Sequence, residues 1–545
     1  MFLLLAVNAT GLVDMIFTAD SALYACISRS FALSGNFSDI MVEGNDWLDK
    51  PHFPFWVCAL SMKLFGITTF AYKLPSLLFF IMGLFYTYRL AKEFYPAKTA
   101  RVATLLLASS LHIILSNNDT RAEAILLGLV AAGSFHLYRL AQKYTMTHLL
   151  AASAFCAAAV MTKGIFVMII FYGALGGPML LQGRWRELFG MGRLYAHFLL
   201  TMLLTFPELY SVYRQFDMHP EKTVFGTTGV SGIRFFLWDS QFGRFFNTGP
   251  IKGKGDPLFF IHTFLWSFGP WSVAGIAALA STIRHILKKQ ATETFAFFGF
   301  IPMFLIFSLS KFQLPHYINI LYPFMAIMAA QCMASMEKEN LVFRISRYSI
   351  FFFCLVFIVL IAVTGYLFRP EHYDVLAPLS IGLIIIMPFL FHRLLTDIKE
   401  KIIATGIASV AIIALFMNLC FYPSLLPYQS GSQAAAHINK NEPSAKVIPI
   451  ARDWTLEYYL DRPLTWKTEE EAIMQNSDEN TLIFAGEDFI EKMQARNIPY
   501  DVVQEFEHFH TTKITRDFFY HRTRNKAIKK RYLIRIASSG KTHDC

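Results

Sequence analysis

Runs of largely apolar residues, each near the length of about 20 that carries a helix across a bilayer, recur at 1–17, 71–91, 99–117, 122–141, 146–163, 164–182, 194–213, 257–280, 291–310, 317–336, 347–367, 376–395 and 401–421. They predict about thirteen transmembrane helices. The polar stretches between them fall into two alternating classes. One is short and basic: Lys92, Lys98 and Arg101; Arg139 and Lys143; Arg184, Arg186 and Arg193; Arg284, Lys288 and Lys289; Lys338, Arg344 and Arg347; and Arg393, Lys399 and Lys401. The positive-inside rule assigns these to the cytoplasm. The class alternating with it contains 18–70, the neighbourhoods of 117–121 and Lys163, 214–256, 311–316, 368–375 and everything after about residue 421, which then lie outside.

The first run is the weakest, because Asp14 interrupts it early. It lacks the basic leader and small-residue cleavage pattern of a signal peptide and reads as a retained segment. Within 18–70, WLDKPHFPFWVCALSMKLFG reads as an amphipathic or re-entrant interfacial helix, with Trp47, Phe53, Phe55 and Trp56 at headgroup depth and Asp49 and Lys50 toward water. A full span over 54–70 is the alternative, and it would invert every later loop. After about residue 421 the pattern becomes that of a water-exposed domain. Residues 430–440 and EDFIEKMQARN predict helices, while AKVIPIA, NTLIFAG and KKRYLIRIA predict strands. The chain thus divides into a membrane domain, 1–421, with external loops 18–70 and 214–256, and a small α/β or α+β domain, 422–545.

Composition agrees with the pattern. The 545 residues are 54% hydrophobic and only 16% charged, against about 25% charged in soluble domains. Soluble, fibrous and disordered classes are thereby excluded. The net charge of +10 reads as a nucleic-acid signal until the basic residues are located; most are topological, so no nucleic-acid partner is expected. Cys26, Cys58, Cys156, Cys332, Cys354, Cys420 and Cys545 are odd in number and lack paired ligand spacing, which predicts small buried hydrophobes rather than a disulfide frame or a zinc site.

Ionisable residues at membrane depth are costly and usually functional, and several stand at the expected outer ends of helices. Asp20, in ADSALYA with Tyr24, reads either as a first-turn capping carboxylate or as a catalytic base. Asp49 and Lys50 precede Pro51, a loop signal as well as a charged pair. Arg121 and Glu123 open the fourth run; Glu123 suits a helix start, whereas a cation there opposes the dipole and needs an anion or water. Lys163, in VMTKGIF, is a snorkelling turn residue or a phosphate ligand. The 214–256 loop, with Arg234, Arg244, Lys252 and Lys254 among glycines and aromatics, suits a wall around an anionic, partly apolar ligand. It carries no phosphate-binding P-loop signature. Lys311, His316 and Tyr317 precede the tenth run.

The order D-S-x-L-Y, D-K-P-x-x-x-x-W, R-x-E, T-K-G and S-K-x-x-L-P-H-Y-x-x-x-x-Y-P resembles the integral-membrane glycosyltransferases that use polyprenyl-phosphate sugars, with the GT-C fold. The bacterial aminoarabinose lipid A transferases and their relatives in the protein O-mannosyltransferase superfamily resemble it most. By motif the resemblance covers roughly residues 14–330. It implies an enzyme of the bacterial inner membrane that moves a sugar from a polyprenyl-phosphate-linked donor to lipid A, a protein or a glycan on the periplasmic side, by inverting displacement. It implies Asp20, Asp49, Lys50 and Glu123 as catalytic residues, with Tyr24, Arg121, Lys163, Arg244, Lys311, His316 and Tyr317 binding the donor or its lipid phosphate. Ser21 after Asp20, and Pro51, His52 and Phe53 after Lys50, depart from the common family pattern and loosen any transfer of sugar or acceptor identity. No ligand-spacing motif supports an obligatory metal, although a divalent ion would find oxygen and nitrogen donors in this set. A monomer is expected. The competing class is a transporter or flippase for lipid-linked saccharides; such folds often show internal repeats, and none is evident here.

Overall fold

The computed structural model describes residues 1–290, 292–337, 340–474 and 480–536; Lys338 and Cys545 lie outside these residues. The chain opens with two helices, Phe2–Thr10 (α1) and Ala19–Ser34 (α2). A two-stranded hairpin, Met41–Val42 (β1) with Asn45–Asp46 (β2), leads into Phe53–Phe65 (α3). Then follow Thr69–Phe94 (α4), the pair Ala97–Ala108 (α5) and Leu111–Asn118 (α6), Ala122–Gln142 (α7) and Met146–Lys163 (α8).

Among the described residues, seven helices are long and apolar enough to cross a membrane: α4, α7, α8, Pro315–Ser335, Leu341–Phe368, Tyr373–Leu394 and Ile398–Tyr428. The expected count of about thirteen is therefore corrected to seven, or to eight if α5 and α6, bent by 55°, form one span. The other apolar runs are divided or too short. α1 ends after nine residues at Gly11. The 257–280 run splits into Phe259–Ser267 and Ser272–Leu287 around Gly269 and Pro270. The 194–213 run breaks at Thr205, ahead of Pro207. Phe295–Leu309 has 15 residues and covers about 22 Å at 1.5 Å per residue, short of a hydrocarbon core of about 30 Å. Composition registers the apolar run but not the proline and glycine that interrupt its backbone. By the same length argument the 13-residue α3, which ends at Gly66 with φ 82°, is no full span.

Helix α7 is the central element, with 89% of its apolar window buried. It packs on α4 and α8. Its approach to α4 requires Gly128, where a Cβ would stand 2.2 Å from the Phe79 carbonyl oxygen. Glu123 lies in the first turn of α7 and Lys163 in the last turn of α8, the ends that the helix dipoles favour for an anion and a cation. α2 is started by Thr18, whose side chain accepts from the Ser21 N–H, and stopped by Gly35 at φ 71°.

The C-terminal region has a four-stranded sheet, Lys446–Pro449 (β3), Thr481–Gly486 (β4), Tyr500–His508 (β5) and Lys529–Ile536 (β6), in the order β3-β4-β6-β5. β3 and β4 are parallel, and the other pairs antiparallel. Leu482 and Phe484 enter one apolar cluster and Ile483 and Ala485 another, so β4 is covered on both faces. The helix Trp454–Tyr459 packs against α2 and joins this region to the membrane helices.

Candidate functional site

Arginine 121 and Glu123 flank the start of α7, and the α8 terminus brings Lys163 to them. The Lys163 ammonium pairs with the Glu123 carboxylate and lies 3.8 Å from the Tyr317 ring centroid. His316 Nε2 is 3.7 Å from Glu123 Oε2. On the other side, the Arg121 guanidinium stands 3.4 Å from His316 Nδ1, donates to Asp119 Oδ2 at 2.8 Å and reaches Asp20 Oδ2 at 3.3 Å. One polar chain therefore runs Asp20, Arg121, His316, Glu123, Lys163. The cation that opposed the dipole has its anions in Asp119 and Asp20, which raise the Arg121 pKa further against its burial.

The loop ahead of α3 supplies the second group. Lys50 Nζ donates to Asp49 Oδ2 at 2.5 Å, and Arg244 pairs with Asp49 Oδ1 while donating to the Asp49 carbonyl at 3.2 Å. Burial opposes the Asp49 charge, but Lys50 and Arg244 hold the carboxyl below its usual range. Burial pulls Lys50 down to about 8 against the attraction of Asp49. Asp49, Lys50, Lys163, Arg244 and Tyr317 line one narrow cavity of about 80 Å³. It shares Phe166, Phe245 and Ile306 with an apolar groove of about 370 Å³ completed by Ile165, Ile169, Phe242 and Phe246. A cationic slot thus lies against an apolar groove.

Tyr24, edge-on to Phe55 at 5.2 Å, joins the two groups; burial, then Asp49, Glu123 and Asp20, raise its pKa well above 10.0. The Asp20 side chain is 56% exposed, against 18% for Arg121, so its carboxylate is open to an incoming molecule. Lys311 is the residue not brought in: it is exposed, its backbone N–H bonds to the Phe245 carbonyl, and its side chain is absent from the cavity wall.

Sequence reasoning missed several supports. Gln241 Nε2 donates to the Lys163 carbonyl at 2.9 Å and fixes the turn at Gly164. Glu208 accepts from the His52 N–H and stands 3.0 Å from His52 Nδ1, both residues being buried; this pair anchors the Asp49–Lys50 loop. An acid inside the apolar TFPELY segment was the available signal for Glu208. Among the described residues no three His, Cys, Asp or Glu side chains form a metal-binding group, and the buried carboxylates here are already matched to cations.

Comparison with known proteins follows the same lines. Residues 49–210 match the family described as dolichyl-phosphate-mannose-protein mannosyltransferase. An undecaprenyl phosphate-alpha-4-amino-4-deoxy-L-arabinose arabinosyl transferase of Pseudomonas aeruginosa is 26% identical over 309 residues, covering 55% of this chain and 52% of the relative. The chain's match spans about half the length of such curated relatives. An uncharacterized protein of Aquifex aeolicus is 23% identical over 475 residues, 86% of this chain and 85% of its own. The crystal structure of ArnT from Cupriavidus metallidurans bound to undecaprenyl phosphate superposes with a TM-score of 0.75 at 18% identity, covering 99% of this chain and 98% of that one.

Proposed function

We propose, from its similarity to the mannosyltransferase family model and the aminoarabinose transferases and its shared fold with ArnT, that the chain transfers a sugar from a polyprenyl-phosphate donor to an acceptor at the periplasmic face of a bacterial inner membrane. The observation that carries this reading is the cationic slot that shares a wall with an apolar groove: an amphiphile with an anionic head and a hydrocarbon tail matches both halves. In this reading Lys50, Lys163 and Arg244 hold the phosphate of the donor and the prenyl chain follows Phe166, Phe242 and Phe245. Asp49 clamps Lys50 and Arg244 in register, and Glu123 does the same for Lys163.

The acceptor oxygen attacks the anomeric carbon from the side opposite the phosphate. One carbon–oxygen bond forms as the bond to the phosphate oxygen breaks, which inverts the centre. Asp20 takes the acceptor proton. The leaving phosphate keeps the electron pair and is stabilised by charge-assisted contacts to the three cations, so it needs no acid. Arg121 orients Asp20 and links it to His316. Lipid A, a protein or a glycan fits the acceptor role, and residues 422–545 form a unit outside the membrane.

The test is mass spectrometry of lipid A and envelope glycans from cells lacking the gene, carrying it, or carrying Asp20→Asn at matched abundance, with undecaprenyl phosphate binding measured on purified protein. Loss of one sugar mass in the deletion and at least about a hundredfold loss in D20N, with binding unchanged, is expected. Full product in D20N overturns the role of Asp20. A relocated but chemically unchanged lipid-linked sugar would establish transport instead.

A further inference from the structure

Asp20 and Arg121 meet across 101 residues of chain, one in the first turn of α2 and the other at the N-cap of α7. With Asp20 56% exposed, an ion pair this open contributes little to holding the two segments in register. The holding contacts come from behind the pair, out of α4.

Tyr72 is fully buried. Its ring stands in an apolar cluster with Ile16, Ala22, Ala25 and Cys58, and a phenol oxygen taken out of water must find partners. It finds them on both segments. The hydroxyl is 2.7 Å from the Ser21 carbonyl oxygen and 3.2 Å from that of Thr120. Ser21 Oγ, itself 3.2 Å from the Tyr72 oxygen, also reaches the Thr120 carbonyl at 3.3 Å. Ser21 follows Asp20 in the chain and Thr120 precedes Arg121, so one hydroxyl touches the backbone beside each member of the pair.

A second tie runs in parallel. Thr18 Oγ1, at the cap of α2, donates to Asp119 Oδ1 at 2.6 Å, while Asp119 Oδ2 accepts from Arg121 Nε at 2.8 Å. Lys73, next to Tyr72 on α4 and 1% exposed, gives its ammonium to the carbonyls of Gly11, Asp14 and Met15 at 2.9, 2.8 and 3.4 Å. These are acceptors left over at the end of α1 and in the turn after it. Holding them fixes the path of the chain into α2.

We propose that Tyr72 is a positioning residue: its hydroxyl sets the first turn of α2 against the 119–121 loop and so holds the Asp20 carboxylate where it meets the acceptor proton. The part played in transfer rests on the glycosyl-transfer reading; the tie between the segments does not. Tyr72 lies outside the wall of the Asp49–Arg244 cavity, so it leaves the hold on the donor phosphate to other residues.

The experiment uses the full chain with Tyr72→Phe, which removes one oxygen atom and keeps the ring. Tyr86→Phe is the matched control: it deprives the same helix of a hydroxyl 3.1 Å from His136 Nε2, about 21 Å further along α4. In hydrogen–deuterium exchange on purified protein in nanodiscs, peptides covering 19–25 and 119–125 exchange at least about fivefold faster in Y72F and are unaltered in Y86F. Unaltered exchange in Y72F overturns the tie. In cells, the rate at which the sugar-bearing product accumulates after induction, read by mass spectrometry at matched protein abundance, falls about tenfold in Y72F. Undecaprenyl phosphate affinity of the purified variant is unchanged, which reports that it is folded. In the D20N background Y72F has no further effect, because a group acting through Asp20 has nothing left to position. A general loss of stability would lower both backgrounds by the same factor, and that result overturns the positioning role. Full product in Y72F with D20N impaired overturns the inference alone. Faster exchange in Y72F together with full product in D20N leaves the tie standing and sinks the reading of Asp20 as the base.

Discussion

Lys50 carries the clearest consequence at the scale of a single residue. Its pKa, drawn down to about 8 by burial, leaves it charged at neutral pH and neutral a little above. The folded protein therefore loses one of three cations facing the slot as pH rises through about 8. Undecaprenyl phosphate affinity, followed by calorimetry, is expected to fall about tenfold between pH 7 and pH 9, and Lys50→Arg, which stays protonated, to flatten the profile. The residues of this slot were legible in the sequence because charge is conspicuous in an apolar chain: Asp49, Lys50, Lys163 and Arg244 converge on one cavity. Lys311 was equally conspicuous and does not reach it, since a short motif fixes neighbours along the chain but not the direction of a long side chain. His52 and Glu208 were illegible as a pair because 156 residues separate them.

At the scale of elements, the contact between α2 and Trp454–Tyr459 holds the two parts of the molecule together. Glu457 lies in that contact, where burial, then the neighbouring Glu43, raise its pKa from 4.5 to about 7. The folded state keeps this proton between about 4.5 and 7 while the unfolded chain has released it, so stability falls as pH rises through that window. Glu457→Gln removes the dependence. Its melting temperature is expected to exceed that of the unaltered protein more at pH 8 than at pH 5, by differential scanning fluorimetry. Strands β3, β4 and β6 were readable because their apolar runs are buried. β5 was not: its residues are exposed or half-buried along its length, so it pairs with β6 through backbone bonds without an apolar signature.

For the whole molecule, the alternation of basic and non-basic connections assigns the two faces, and a labelling experiment separates them. With the native cysteines replaced, Thr396→Cys, in the basic link between Tyr373–Leu394 and Ile398–Tyr428, is expected to resist a membrane-impermeant maleimide in intact spheroplasts and Glu491→Cys, one crossing later, to react with it; the reverse pattern would invert the topology. The presence of a polytopic helical body was readable from composition alone, whereas the number of full spans was not, because runs such as 257–280 are cut by residues that cost little apolarity. The α4–α7 approach at Gly128 escaped notice for a related reason: glycine is silent in a hydropathy pattern and matters only when another backbone arrives.

The helix Tyr373–Leu394 has 17% of its apolar window buried by protein, and Val375, Leu379 and Phe389 are 69%, 55% and 70% exposed. Annular lipid is the packing partner of most of its side chains. Replacing that lipid with a short-chain detergent withdraws a component of the tertiary structure at this helix first, while α7, enclosed by other helices, keeps its surroundings.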